Sequence, residues 1–189
     1  MKIFITLLIT TVFSLQLFAL TGDKDTKQID ASKSVVNWEG KKITGAHSGT
    51  ISVSEGSLVF EDNKLIDGNI TIDMSTMAVT DLTGNMGKKL LGHLQSDDFF
   101  GISNFPTATL DMTDVQSSKT GYVITGDLTI KGITSPVTFE ATMTDTGAKA
   151  TLVVDRTNYN IRYGSGKFFD NLGDKTIYDD FTLDISLVF

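Results

Sequence analysis

The sequence contains no cysteine, only two histidines (His47 and His93) and only two arginines (Arg156 and Arg162). Without cysteine the chain can form no disulfide and carry no lipoprotein anchor, so its stability must come from the core and the sheet alone. A zinc site would need both histidines together with carboxylates from distant strands. No Gly-x-Ser-x-Gly nucleophile motif is present. We therefore predict a protein that is not an enzyme and that has no metal site and no cofactor.

Basic charge is also scarce. The 189 residues carry a formal net charge of −7, the calculated pI is near 4.7, and the lysines are scattered singly or in pairs. No stripe of basic side chains is available to neutralise a run of phosphates. This composition argues against a nucleic-acid partner and fits one domain of ordinary size with a proper core.

The N-terminus has the pattern of a secretory signal. Lys2 precedes an uncharged apolar run at residues 3–20, Ala19 is a small residue suited to cleavage, and residues 21–25 turn abruptly polar. The alternative interpretation is a membrane anchor, because the run approaches the length that spans a bilayer. We predict a signal peptide at residues 1–20, a flexible lead-in at 21–28 and one domain at 29–189, in a periplasmic or secreted protein.

Beyond Ser34 apolar and polar residues alternate with the period of a β-strand. Ile72 and Met74, for example, share one face of a strand whose other face carries Thr71 and Asp73. Residues 54–57 read as a turn and residues 61–64 as a hairpin loop. About eight such strands follow one another, and closure into a barrel removes the exposed edges of such a sheet. We predict an all-β fold, an eight-stranded antiparallel barrel with a short helical insert.

The insert follows the strand that contains Met74. It is the one segment with helical periodicity, since Leu90, Leu91 and Leu94 fall on one side of a helix. Ser96, followed by two aspartates, has the pattern of an N-cap and predicts a second short helix. We expect this apolar segment to pack against one end of the barrel as a lid.

An eight-stranded barrel is either just filled by its own side chains or holds one small ligand. The apolar insert and the adaptable methionines favour a ligand pocket, although both also fit a filled core. The predicted pocket residues are Trp38, Ile72, Met74, Leu91, Leu94, Phe99, Phe100, Leu110, Ile124, Leu128, Ile130, Phe139 and Ile185.

Arg156 is the charged residue that most needs an explanation. It shares its strand parity with Leu152 and Val154, which points it into the barrel near one end. A buried arginine needs an anionic partner. That partner is either an aspartate in a salt bridge or the head group of a ligand, with Tyr159 or Tyr163 adding a hydroxyl. We include Arg156 among the predicted ligand-binding residues. For His93 we expect a packing role against the helix.

Two separated motifs carry a resemblance to a known family. Residues 126–137 (GDLTIKGITSPV) are preceded by residues 93–100 (HLQSDDFF) and 104–107 (NFPT), in the same order and register as in the YceI-like family of bacterial lipid-binding proteins. Residues 155–161 (DRTNYNI) are similar to a later strand end of that family, with aspartate where asparagine is common. The resemblance extends from about Ile29 to Phe189.

The resemblance implies a lipocalin-like barrel that holds a polyisoprenoid, an isoprenoid quinone or a fatty-acyl amide in its lumen, in an exported protein. Two segments depart from the family, the helix start at 88–91 and the loop at 164–170, and both lie where they would alter the pocket mouth. The leading hypothesis is a carrier of a long-chain apolar lipid. The alternatives are an enzyme that modifies such a lipid and a stress-linked interaction module that binds no ligand. The other partners we expect are a membrane in transient contact and a second copy in a homodimer.

Overall fold

The computed structural model describes residues 22–189, so the predicted signal peptide lies outside the described residues. The described part contains nine strands, one α-helix and two short 3₁₀ turns, at Arg156–Tyr159 and Gly173–Lys175. The elements are β1 (Lys24–Gln28), β2 (Val35–Lys42), β3 (Gly45–Glu61), β4 (Lys64–Val79), α1 (Gly84–Gln95), β5 (Thr107–Ser117), β6 (Tyr122–Ile130), β7 (Ile133–Thr144), β8 (Gly147–Asp155) and β9 (Ile177–Val188). Within these residues no helix is both long and apolar enough to cross a bilayer.

Strands β2 to β9 form a closed antiparallel barrel. The order of hydrogen-bonded neighbours is β3-β2-β9-β8-β7-β6-β5-β4, and β4 pairs again with β3 to close the ring. Closure leaves no free edge among these eight strands. The predicted eight-stranded barrel with one short helical insert is therefore confirmed.

Strand β1 is an addition to this ring. The sequence predicted a flexible lead-in over residues 21–28, whereas Lys24–Gln28 pairs with Ser57–Glu61, the part of β3 that extends beyond β2. The segment shows no apolar alternation because its side chains are almost all exposed. Backbone hydrogen bonds to an uncovered strand edge, which leave no hydrophobic pattern in a sequence, hold it in place.

Strand β3 also differs from the prediction. The turn expected at 54–57 is absent, and the strand continues through it with a register irregularity against β4 between Val53 and Glu55. A Cβ at Gly56 would lie 2.6 Å from the carbonyl oxygen of Asn69, so this glycine permits a close strand approach rather than a turn. The hairpin loop at 61–64 is confirmed, because Asp62 and Asn63 both have positive φ, as a two-residue turn requires.

The two ends of the barrel are built differently. One end, the mouth, carries α1, the β2–β3 and β6–β7 hairpins and the long connection from β8 to β9. The opposite end, the base, carries β1 and the three short connections β3–β4, β5–β6 and β7–β8. The helix and the longest connection, from β8 to β9, therefore lie at the mouth.

The insert contains one helix, not two. The Ser96 backbone N–H and hydroxyl both donate to the carbonyl of His93, at 3.1 and 2.7 Å, so Ser96 ends α1 instead of starting another helix. The chain then crosses the mouth in a series of turns. The Lys131 ammonium fastens these turns to the β6–β7 hairpin by donating to the carbonyls of Asp97 and Phe99, at 2.6 and 2.8 Å.

Gly49 on β3, where the Ala78 backbone and the Trp38 ring approach the strand closely, provides a test of the packing inside the barrel. A Cβ at Gly49 would collide with the backbone carbonyl of Ala78 and lie 2.6 Å from the Trp38 ring. We expect Gly49→Ala to lower the free energy of unfolding by about 1–3 kcal/mol, measured by urea denaturation. Gly92→Ala on the open face of α1, where nothing lies within 4 Å of the added carbon, is the control and is expected to be neutral or stabilising. Equal stability of both variants would contradict the close approach.

Candidate ligand-binding cavity

A cavity of about 150 Å³ lies inside the barrel in the half nearest the mouth. We call it the upper cavity. Its wall is almost wholly apolar, with Thr109, Arg156, Tyr178 and Asp180 as the polar or charged residues that contribute to it. An interior of this character excludes water and accepts hydrocarbon.

A second, smaller cavity of about 30 Å³ lies deeper, towards the base. We call it the lower cavity. Ile70, Leu110, Ile185 and Leu187 line both cavities, so these four side chains form the constriction between them. Met112 and Met143 line the lower cavity, and Met74 and Met77 line the upper one. Flexible methionines on both sides give the lumen side chains that can repack around a chain.

The structure brings most of the sequence-predicted residues together. Ile124 and Phe139 line only the lower cavity, and Leu91 lines neither cavity because it packs against the core beside α1. Helix α1 packs against β4, and within α1 only Leu94, on the last turn, lines the upper cavity. The predicted residues that line the upper cavity are Trp38, Ile72, Met74, Leu94, Phe99, Phe100, Leu110, Leu128, Ile130, Arg156 and Ile185.

Other lining residues were missed, for two reasons. Val36, Leu152 and Leu183 share strand parity with predicted residues, so the alternation already contained the signal. Gly40 also shares the parity of Trp38, but it has no side chain to mark it as apolar. Tyr178 gave no such signal, because it lines the cavity from an interruption of the strand pairing that no sequence pattern reveals.

That interruption lies between β2 and β9. The register moves from Gly40 opposite Phe181 to Lys42 opposite Ile177, so three residues of β9 bulge out against one of β2. Tyr178 belongs to the bulge, lines the cavity and is 53 % exposed, so the cavity reaches the surface there. Gly40 has no atom within 4 Å of where a Cβ would stand. We call this opening the portal.

A chain of aromatic rings covers the rest of the mouth. Ring centroids are 4.3 Å apart for Tyr163 and His93, 5.6 Å for His93 and Phe99, 5.1 Å for Phe99 and Phe100, and 6.3 Å for Phe100 and Phe181, all edge to face. His93 therefore has the packing role that the sequence predicted. Its Nε2 atom is buried and has no hydrogen-bond partner among the described residues. The rings form the lid expected of the insert, with Phe181 from β9 and Tyr163 from the β8–β9 connection added.

Arg156 is 2 % exposed and holds the mouth together from inside. Its guanidinium has five N–H donors, and the structure gives it five acceptors. Burial lowers the pKa of this guanidinium, and the carboxylates of Asp179 and Asp155 oppose that shift. The acceptors are the carbonyl oxygens of Tyr178 (3.1 Å), Ile161 (2.9 Å), Tyr163 (2.8 Å) and Ile177 (3.1 Å), and Asp179 Oδ1 (3.3 Å).

This arrangement decides between the two predicted roles of Arg156. With all five donors occupied by the protein, no N–H is free to bind a ligand's head group. The salt bridge to an aspartate is present, but four of the five N–H groups of the guanidinium donate to backbone carbonyls. The guanidinium carbon also lies 5.6 Å from the centroid of the Phe99 ring, so Arg156 supports the aromatic cover from below.

The connection after Arg156 closes a gap in the barrel wall. Strands β7 and β8 pair only at the base, through Ala141–Thr144 and Gly147–Ala150, and separate towards the mouth. The 3₁₀ turn at Arg156–Tyr159 packs against β7, with Tyr159 and Ile161 fully buried. Burial raises the pKa of the Tyr159 hydroxyl, an effect that the nearby Ser135 partly offsets. Within residues 22–189 this hydroxyl has no hydrogen-bond partner of good geometry, so Tyr159 fills the gap chiefly by apolar packing of its ring.

An ion-pair network fastens the same connection from outside. Lys167 Nζ lies 2.7 Å from Asp155 Oδ2 and 3.8 Å from Asp179 Oδ2. Asp155 Oδ1 accepts hydrogen bonds from the Thr157 backbone N–H and hydroxyl, at 2.9 and 2.6 Å. Burial opposes ionisation of Asp155, but the hydrogen bonds from Lys167 and Thr157 outweigh it and lower the pKa of this carboxyl. The loop at 164–167 is thus tied to the barrel.

Comparison with known proteins gives a consistent assignment at the level of sequence. A profile described as "YceI-like domain" matches residues 28–189. The chain is also 30 % identical over 99 residues to the UPF0312 protein YE1254 of Yersinia enterocolitica. That match covers 52 % of this chain and 50 % of the Yersinia protein, so the chain spans about half the length of the curated relatives it matches.

Solved structures show the same fold. BcnA of Burkholderia cenocepacia superimposes with a TM-score of 0.69 at 24 % identity, covering 85 % of this chain and 99 % of BcnA. A domain of Saccharophagus degradans, described as a polyisoprenoid binding domain implicated in plant cell wall breakdown, gives a TM-score of 0.58 at 14 % identity. That superposition covers 85 % of this chain and 95 % of the domain.

The central role of Arg156 yields a stability prediction. We expect Arg156→Lys to lower the free energy of unfolding by roughly 3 kcal/mol, because an ammonium cannot reproduce the planar fork of donors and leaves buried carbonyls unpaired. Urea denaturation measures the change. Lys167→Gln removes an exposed member of the same network and is the control, with a much smaller change expected. A loss no larger for Arg156→Lys than for the control would refute this role.

The lowered pKa of Asp155 yields a pH prediction. The contribution of its carboxylate is complete above the ordinary aspartate value of 3.8 and disappears as the pH falls through the lower folded-state value. We expect Asp155→Asn, which keeps an acceptor for Thr157 but loses the ion pair with Lys167, to melt below the wild type at pH 7. The difference should shrink as the pH falls below 3.8. Thermal melts of both proteins from pH 7 to pH 2.5 provide the test. A difference in melting temperature that grows on acidification would contradict the stabilising role of the Asp155 carboxylate.

Proposed function

The chain belongs to the YceI-like domain family, and we propose that it is an exported carrier that holds a long-chain apolar lipid in the barrel lumen. The almost wholly apolar wall of the upper cavity carries this proposal. The ligand classes that fit it are a polyisoprenoid, an isoprenoid quinone and a fatty amide. The description of the Saccharophagus neighbour as polyisoprenoid-binding supports the choice, and the apolar run at residues 3–20 supports export.

Hydrophobic transfer supplies the affinity. Each buried methylene contributes about 0.8 kcal/mol, and a cavity near 150 Å³ has room for a group of about the size of benzene. A longer chain reaches the lower cavity only by displacing the side chains at the constriction, Ile70, Leu110, Ile185 and Leu187. The neighbouring methionines permit this repacking at low cost, because their side chains have many accessible rotamers.

The polar end of the ligand remains at the portal. Arg156 offers it no free donor, so Tyr178 and Asp180 are the polar residues of the cavity wall that it meets at the surface. Selection in this arrangement rests on the length and shape of the chain and little on charge. We favour a carrier over an enzyme, because the polar residues at the cavity include no nucleophile paired with a base.

A cavity-filling substitution tests the proposal without damage to the core. Gly40 lines the upper cavity with open space where its Cβ would stand, so Gly40→Leu places a side chain in the lumen. We expect this variant to fold and to lose most of the lipid that copurifies with the wild type. Native mass spectrometry, followed by solvent extraction, measures the stoichiometry of bound lipid.

Gly92→Leu is the matched control, because it adds the same atoms in open space on the exposed face of α1. The control should carry lipid as the wild type does. A wild-type protein without copurifying lipid that also takes up none from added geranylgeraniol or palmitamide would overturn the carrier. A chemically altered lipid would favour the enzyme instead.

A further inference from the structure

We propose that the surface around the portal is a docking site for a phospholipid bilayer. The inference extends the proposed carrier function, since it states where the carrier would exchange its lipid. Five large apolar side chains, each 42 to 53 % exposed, lie at the mouth on the two segments next to the opening, the β2–β3 hairpin and residues 163–178. We call them the rim. They are Ile43, Tyr163, Phe168, Phe169 and Tyr178.

The exposed aromatic side chains are concentrated in one place. In the part of the chain that the structure describes, every exposed phenylalanine or tyrosine lies within residues 163–178, on the connection from β8 to β9 and at the start of β9. Ile43 joins them because its backbone N–H donates to the carbonyl of Thr176, at 3.2 Å. Large apolar side chains gathered on one end of a soluble barrel mark an interaction site.

The connection that bears the rim is held rigidly. Arg156 donates to the carbonyls of Tyr163 and Tyr178, the first and the last aromatic residue of the rim along the chain. In its middle, Ser165 is fully buried and its carbonyl accepts the backbone N–H groups of Phe168 and Phe169. The two phenylalanines therefore project outwards from an anchored turn. Side chains fixed in this way lose little conformational entropy when a partner covers them.

Basic groups stand beside the rim. Arg162 lies over the Phe168 ring, with its guanidinium carbon 4.6 Å from the ring centroid. Helix α1, which contacts Tyr163 through His93, carries lysines on its exposed face and no acidic residue. Five exposed aspartates at the same end, Asp97, Asp98, Asp170, Asp174 and Asp180, offset much of this charge. At this end, the basic residues that form no ion pair within residues 22–189 are Lys42, Lys88, Lys89, Lys131, Arg162 and Lys175, and of these Lys131 is bonded to the carbonyls of Asp97 and Phe99.

This combination favours a bilayer over a protein partner. Aromatic rings with lysine and arginine beside them are the side chains that settle at the level of lipid head groups, where the rings enter the acyl boundary and the cations meet phosphates. The apolar surface also continues from the rim through Tyr178 and Gly40 into the upper cavity. A lipid chain that leaves the bilayer at the portal would stay in contact with apolar surface along its whole path.

The absence of cysteine from the chain allows a site-specific test. In the full chain, Asp170→Cys beside the rim is labelled with the environment-sensitive dye NBD, and Thr120→Cys at the base is labelled as the control. Vesicles of phosphatidylcholine and phosphatidylglycerol (3:1) are then added. We expect a blue shift at position 170 and quenching by brominated lipids, with neither change at position 120. The dye reports only on the surroundings of position 170. Binding of the protein to vesicles through the apolar residues 3–20 would therefore not produce the same signal.

Rim variants in the Asp170→Cys background complete the test. Phe168→Ser with Phe169→Ser should weaken the vesicle response about tenfold, because two rings no longer enter the bilayer. Val35→Ser with Ile66→Ser removes exposed apolar groups on the strands outside the rim and should leave the response unchanged. A blue shift that appears with rising protein concentration in the absence of vesicles would mean that a second copy covers the rim, which overturns the proposal.

The two proposals fail separately. Copurifying lipid in the wild type with no vesicle response at position 170 overturns the docking site and leaves the carrier. A vesicle response at position 170 in a protein that neither carries nor takes up lipid overturns the carrier and leaves the docking site.

Discussion

One buried guanidinium organises the mouth of this barrel. A barrel of eight strands closes itself by backbone pairing, but here the pairing is interrupted at several places near the mouth, and two of these lie between β7 and β8 and between β2 and β9. Each interruption leaves carbonyls without strand partners, and buried carbonyls need donors. Arg156 supplies five donors from a single point, binding both the bulge in β9 and the connection that fills the other gap. Its position at the end of β8 makes this reach possible.

The chemistry of the cavity follows from this use of Arg156. A charged side chain in the wall of an apolar cavity would ordinarily attract an anionic head group. Here every N–H of Arg156 is already bonded to the protein. The guanidinium therefore stabilises the fold and offers no donor to the cavity, whose wall stays apolar. The portal arises from the same bulge, because three residues of β9 opposite one of β2 cannot continue the ladder. Support for the mouth and access to the lumen therefore have one structural origin.

Strand alternation allowed much of the fold and the cavity to be predicted. The barrel is confirmed, and the residues placed in its interior by parity, such as Trp38, Leu128 and Ile185, do line the lumen. The prediction was wrong where hydrogen bonds to the backbone override local pattern. Lys24–Gln28 becomes a strand by pairing alone, Ser96 caps the helix before it, and the glycine at 56 permits close packing instead of a turn.

The sequence by itself therefore determined which side chains face inwards and that one helical insert interrupts the strands, because a period of two or of 3.6 residues is a local property of the chain. Only the tertiary structure decided where the cavity opens and what Arg156 does. Both depend on the register between β2 and β9 and on carbonyls contributed by residues up to 22 positions away from Arg156 in the chain. The segment from 88 to 105 could be predicted to cover the barrel, but the partners that hold it there, Lys131 and Phe181, come from strands whose approach no local pattern encodes.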